Sequence, residues 1–224
     1  MGSVIYGRER SWKGKSMKLP LLLTLVIVIS SCVQSQDRQT AKLIGGPCEG
    51  CEAVFEYGNK KLFPIDTLPG FIESKYKIKV TGIIYEQDGK TPAKDVVLYI
   101  YHTNESGIYK ASSSETGWGK RHGSLRGWIV TDIDGRYTFY TLKPGAYPGR
   151  TFAAHIHPVI LEPDGKYYYI EDYYFEGDEF LTEKEKSPSN PRGGISGVLS
   201  LKKEGDMWVG ERDIILGKNI LNYE

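Results

Sequence analysis

The chain has 224 residues, 40% hydrophobic and 25% charged, an ordinary globular composition that excludes wholesale disorder. Its net charge of +1 conceals an asymmetry: residues 1–18 hold five basic residues against Glu9 alone, which leaves the remainder at net −3. A slightly acidic body lacks the electrostatic footprint of a nucleic-acid binder, and that class is excluded.

The first element in chain order is an address. Lys13, Lys15 and Lys18 precede the apolar run 19–29 (LPLLLTLVIVI), and small residues follow it at Ser30-Ser31-Cys32. A basic start, an apolar segment and small residues before the cut describe a signal peptide over residues 1–31. The run is too short to span a bilayer as a stable helix. Ile29-Ser30-Ser31-Cys32 resembles the bacterial lipobox, in which the cysteine becomes the lipidated first residue of the mature protein. Met17-Lys18 offers a second, more typical start for such a signal. The expectation is an exported protein of the bacterial cell envelope, held to the membrane only through a lipid on Cys32, with a polar tether over 32–45.

Cys48 and Cys51 follow in the stretch Gly-Gly-Pro-Cys-Glu-Gly-Cys. This spacing suits a redox pair, half a zinc site or a small disulfide. An oxidising compartment and the lack of a second cysteine pair favour the disulfide.

Residues 46–224 read as one all-β domain. Glycine and proline are abundant, at 26 and 11 residues, and 16 tyrosines lead a large aromatic content. Apolar residues alternate between turn signals at 77–86 (KIKVTGIIYE), 95–102 (DVVLYIYH), 127–131 (GWIVT), 136–141 (RYTFYT), 152–161, 166–175 (KYYYIEDYYF) and 207–216. Short strands at this spacing, joined through Asp88-Gly89 and Asp134-Gly135, predict a β-sandwich of mostly antiparallel strands with long loops. The one helix predicted is short, over 178–186.

His155-Ile156-His157 is the sharpest chemical signal. Residues i and i+2 of a strand face the same side, so both imidazoles can reach one metal ion. A pair of half-buried hydrogen-bonding histidines is the alternative at this point. Tyr147 lies in the turn Pro144-Gly145-Ala146-Tyr147-Pro148, eight residues before the first histidine, and Tyr109 follows the strand end at Gly107-Ile108.

These motifs, in this order, resemble the intradiol ring-cleavage dioxygenases. The carriers are Gly107-Ile108-Tyr109, Arg126-Gly127, Thr131-Asp132-Ile133-Asp134-Gly135-Arg136-Tyr137-Thr138-Phe139-Tyr140-Thr141, Pro144–Pro148, His155-Ile156-His157 and Tyr173–Asp178. The resemblance covers roughly residues 77–216. It implies a non-haem Fe(3+) ion held by Tyr109, Tyr147, His155 and His157, with a small aromatic diol and O2 as reactants. By the same resemblance Tyr147 is the catalytic ligand that yields its place to the diol and takes a substrate proton. The expected reaction opens a catechol-type ring between its two hydroxylated carbons to a muconate-type diacid. The residue chemistry agrees, since phenolate is a hard anionic donor that favours Fe(III), and a phenol of ordinary pKa near 10 needs the metal's charge to ionise at neutral pH.

The chain departs from the family pattern at two places. Phe152-Ala153-Ala154 stands where Arg-Pro-Ala is usual, with Arg150 the nearest cation, and Asp172 replaces a glutamine. Arg150 and Asp172 are therefore the candidate substrate-facing residues. A cupin reading, suggested by Gly149, the histidine pair and Glu162, fails because the remaining histidines, His102 and His122, lie upstream. A non-enzymatic transthyretin-like or carboxypeptidase-regulatory-like envelope module would explain Gly82–Pro92 and Thr131–Phe139, but not two tyrosines and two histidines together. Trp118, Trp128 and Trp208 read as packing residues, and Arg126 as a buried arginine paired with an acid.

Overall fold

The computed structural model describes residues 41–224 together with Met1, Gly2 and Gly7. The signal peptide, Cys32 and most of the tether lie outside the described residues. Among those described, 13 strands form two sheets. They are β1 (Lys42–Leu43), β2 (Ile65–Thr67), β3 (Lys77–Tyr85), β4 (Val97–His102), β5 (Arg126–Val130), β6 (Arg136–Leu142) and β7 (His155–Leu161). The rest are β8 (Lys166–Tyr169), β9 (Tyr173–Phe175), β10 (Val198–Leu199), β11 (Lys202–Glu204), β12 (Met207–Glu211) and β13 (Ile214–Ile215).

One sheet runs β1-β8-β7-β4-β5, with β9 joined to β7 and β10 to β9; the other runs β11-β12-β3-β6-β2, with β13 joined to β3. The long ladders β3–β6, β4–β5 and β4–β7 are antiparallel, as expected, while short strands such as β1, β2 and β13 add in parallel. Alternation decides which side chains meet. Ile78 and Val80 of β3 and Tyr137 and Phe139 of β6 pack against Leu98 and Ile100 of β4 and Ile156 and Ile160 of β7.

The first sheet is covered on its other face too. Val97, Tyr99, Val159, Leu161 and Trp128 point away from the sandwich core and are buried by a 3-10 turn at Cys51–Phe55. Cys48 and Cys51 form a disulfide at the start of this turn, with Cα atoms 5.7 Å apart. The indole Nε1–H of Trp128 donates to the Ala53 carbonyl at 3.1 Å, and Arg126 pairs with Glu56 and Glu115. These bonds fasten the N-terminal segment to the outer face.

Several predicted elements differ from those observed, among them the run 207–216, which breaks into β12 and β13. The strand expected over 152–161 begins only at His155, because the Ala154 N–H donates to Asp178 Oδ2 rather than to a neighbouring strand. The run 166–175 breaks into β8 and β9. The helix expected over 178–186 shrinks to Glu183–Lys186, started by a capping box between Thr182 and Glu185. Asp178 instead anchors a turn, its carboxylate accepting from Ala154 and Phe180.

Candidate metal centre

His155 and His157 stand at the start of β7 on its outer face, the face of Tyr101, which is the register partner of His157 on β4. Each imidazole is oriented from behind. His155 Nδ1 lies 2.6 Å from the Ala153 carbonyl, which can only accept, so the proton sits on Nδ1 and Nε2 carries a lone pair. His157 Nδ1 donates to Asp172 Oδ1 at 2.9 Å with the same consequence. The two Nε2 atoms are 3.1 Å apart. Two lone pairs at that distance repel unless a cation or a proton stands between them.

The tyrosines come from two loops sewn together. Asn104 Oδ1 accepts the N–H groups of Ser106 and Ile108, each at 3.0 Å, and so shapes the turn that leads to Tyr109. The Asn104 carbonyl accepts the Gly145 N–H at 2.9 Å, and Thr103 Oγ1 donates to the Gly145 carbonyl at 2.9 Å, which fixes the loop of Tyr147 against it. Gly107 sits at φ +75° with its Cα turned to the Ala146 carbonyl; a Cβ there would lie 1.9 Å from that oxygen. Only glycine fits both the backbone angle and the approach.

All four predicted ligands meet at one point. Tyr109 Oη is 2.7 Å from Tyr147 Oη and 2.9 Å from His157 Nε2. Tyr147 Oη is 3.2 Å from His155 Nε2 and 3.4 Å from His157 Nε2. Spacings of this size match the edges of a coordination shell with bonds of roughly 2 Å. Burial pushes both phenols above their ordinary value and holds His155 below its own. The imidazole is therefore neutral and available, and ionising two buried phenols calls for a strongly charged cation. A trivalent ion fits this donor set better than a divalent one.

Asp172 belongs to the support of His157. Burial works to raise its pKa, but His157, with further help from His155 and Arg212, holds the carboxyl below the usual value. Although His155, His157 and Asp172 offer ligand atoms within 4.8 Å of one another, the Asp172 oxygen is engaged at Nδ1, across the ring from Nε2. Arg150 is exposed, and its backbone N–H donates to the Tyr147 carbonyl. Phe152 is 53% exposed, with its ring edge-on to Tyr147 at 6.4 Å.

A cleft of about 260 Å³ opens onto Tyr109, Tyr147 and His157 and is walled by Tyr101, Trp118, His122, Glu49 and Arg121. Those five wall residues were not singled out as site residues in the sequence. Tyr101 stacks on His157 at 4.7 Å and on His122 at 3.7 Å. Burial pulls the His122 pKa down to about 4, so this imidazole is neutral at physiological pH.

The pattern of the dioxygenase family matches residues 69–191, more than half of the chain and the stretch that carries all four donors. This chain is an intradiol dioxygenase family member. It is 29% identical over 156 residues to the protocatechuate 3,4-dioxygenase beta chain of Burkholderia cepacia, covering 62% of this chain and 64% of that one. Its fold is similar to that of 3-chlorocatechol 1,2-dioxygenase from Rhodococcus opacus 1CP, with a TM-score of 0.54 at 22% identity over 72% of this chain and 67% of that one. The dioxygenase domain of a carbohydrate-binding fusion from Streptomyces sp. SirexAA-E gives a TM-score of 0.52 at 22% identity, over 76% of this chain and 95% of that one. The intradiol dioxygenase fold thus frames the cluster, and the cluster's own chemistry carries the functional reading.

Proposed function

We propose that this chain is a non-haem Fe(III) dioxygenase that cleaves a catechol-type ring between its two hydroxylated carbons with O2 and yields a muconate-type diacid. The observation that carries this reading is the convergence of two phenols and two imidazole lone pairs, with Nε2 atoms 3.1 Å apart. Bound there, Fe(III) would supply the Lewis acidity and the covalency that allow a catecholate to react with dioxygen. The relatives' names, protocatechuate and chlorocatechol dioxygenases, support an aromatic vicinal diol as substrate.

The protein groups divide the work. Tyr147 is followed by three exposed residues, Pro148, Gly149 and Arg150, so beyond the fixed Gly145 its side chain can swing outward at little cost in packing. It is the ligand suited to give way to the diol, and its phenolate oxygen, 2.7 Å from Tyr109 Oη, is placed to take a proton from an incoming hydroxyl. Tyr109 and the two histidines stay, since their loops and strand are tied on both sides. Tyr101, His122 and Trp118 present flat rings that hold the diol and exclude water from one side of the cleft.

A panel of substituted catechols, scored for oxygen uptake and for the ring-opened diacid, tests the reading. The wild type should consume one O2 per diol, and His157→Ala should abolish turnover by removing a ligand. An iron-loaded, folded protein that consumes no oxygen with any catechol would contradict it.

We also infer export and lipid anchoring, supported by the run 19–29 and the lipobox-like Ile29–Cys32. Among the described residues no helix is long and apolar enough to cross a membrane. Cys32→Ser should release the protein from membranes, and unchanged membrane association would defeat the anchor.

A further inference from the structure

We propose that the disulfide-closed turn Cys48–Cys51 is the specificity wall of the cleft, where Glu49 and Arg121 together select a diol ring whose substituent is uncharged and both donates and accepts hydrogen bonds. This rests on the reading of the centre as a diol-binding site and names which diols it takes.

The turn is built to hold a position. The disulfide closes it, Cys51 is buried, and the following 3-10 turn is packed against Tyr99 and Trp128. Between the cysteines, Gly50 adopts φ +88° and packs so closely on His122 that a Cβ would lie 2.5 Å from Nε2. His122 in turn stacks on Tyr101, nearly parallel at 6°, and Tyr101 stacks on His157. A continuous pile of three rings therefore sets the distance between the turn and the metal centre. Residues 48–51 lie outside 69–191, the stretch that carries the family pattern, whereas Arg121 and His122 lie within it.

Glu49 and Arg121 line the same cleft as Tyr109, Tyr147 and His157. They pair with each other, and their side chains are 69% and 63% exposed. An ion pair this exposed is weak, so a ligand group can enter between its members. A ring carboxylate entering there gains Arg121 but is set against Glu49, and a ring ammonium gains Glu49 but is set against Arg121. A hydroxyl donates to the carboxylate and accepts from the guanidinium, leaving both charges hydrogen-bonded. A cleft of about 260 Å³ has room for one ring and a short substituent of this kind.

Binding is read from the visible band of the iron-loaded full chain, titrated without oxygen with 4-methylcatechol, 4-(hydroxymethyl)catechol and 3,4-dihydroxybenzoate. The wild type should bind the hydroxymethyl compound several-fold more tightly than either of the others. Glu49→Ala and Arg121→Ala should each bring its affinity to within about twofold of the methyl compound. Both side chains are exposed, so the variants should keep the fold, which the unfolding temperature and the band before ligand addition verify. A wild type without this preference, or a preference unchanged in both variants, overturns the proposal while the diol reading stands. A band that no catechol shifts overturns the diol reading, and this proposal with it.

Discussion

His157 shows how much of a ligand's behaviour is decided on the side away from the metal. Its Nδ1–H is held by the Asp172 carboxylate, which fixes the ring's rotation and raises the basicity of Nε2. Asp172→Asn keeps an oxygen acceptor of the same size and removes the charge. Iron affinity, measured by competition with a chelator, should fall about 10- to 100-fold; an unchanged affinity would mean that Asp172 faces the substrate rather than the ligand. The sequence singled out Asp172 as substrate-facing, whereas its carboxylate meets His157 Nδ1, a direction set by the break between β8 and β9 that no local pattern displays. The convergence of Tyr109, Tyr147, His155 and His157 was legible because their residue types are unusual and their motifs keep a fixed order. Tyr101 and His122 were not, since they reach the cleft through strand register and ring stacking.

A second residue carries a pH signature. His102, on the inner face of β4, is fully buried, donates from Nδ1 to the Thr103 carbonyl and accepts from Thr141 Oγ1, each at 2.7 Å. Burial pulls its pKa down to about 4 from 6.5. The unfolded chain therefore binds a proton that the fold refuses, and stability is full above about pH 6.5 and falls as the pH drops towards 4. The residue's share is roughly 3 kcal/mol. Denaturant unfolding at stepped pH should show a shallower fall across this window for His102→Gln than for wild type; equal slopes would contradict the assignment.

At the scale of elements, the loops after β4 and β6 matter more than the strands. They place Tyr109 and Tyr147 within hydrogen-bond distance although 38 residues separate them. Gly107→Ala would force a Cβ into the Ala146 carbonyl at an angle that alanine disfavours. The expected result is a folded protein with much weaker iron binding and a paler colour. Wild-type colour at full iron occupancy would show that the two loops need not touch there. The strand pattern was largely legible because alternation marks β3 and β6, while β4 and β5, buried on both faces, stand out as apolar runs. It failed where side chains capture backbone groups, as Asp178 captures the Ala154 N–H. The parallel edge strands β1 and β2 were also hidden, because two or three residues carry no readable period.

For the whole molecule, the consequence of the fold is a sheet buried on both faces. One face packs into the sandwich core and the other under the disulfide-closed segment, and the metal centre occupies the end of that second face. This arrangement gives a rigid floor, β4 and β7, beneath two loop-borne phenols, one of which, Tyr147, leads into exposed chain. The central claim is that those phenols ionise onto a ferric ion beside two imidazoles. The absorption spectrum of the full chain reconstituted with Fe(III) tests it most directly, because phenolate-to-iron charge transfer absorbs visible light and imidazole or carboxylate ligation does not. The loaded protein should be red to burgundy, with a band that weakens in Tyr109→Phe and shifts when catechol is added without oxygen. A folded protein that holds one ferric ion and stays colourless would contradict it.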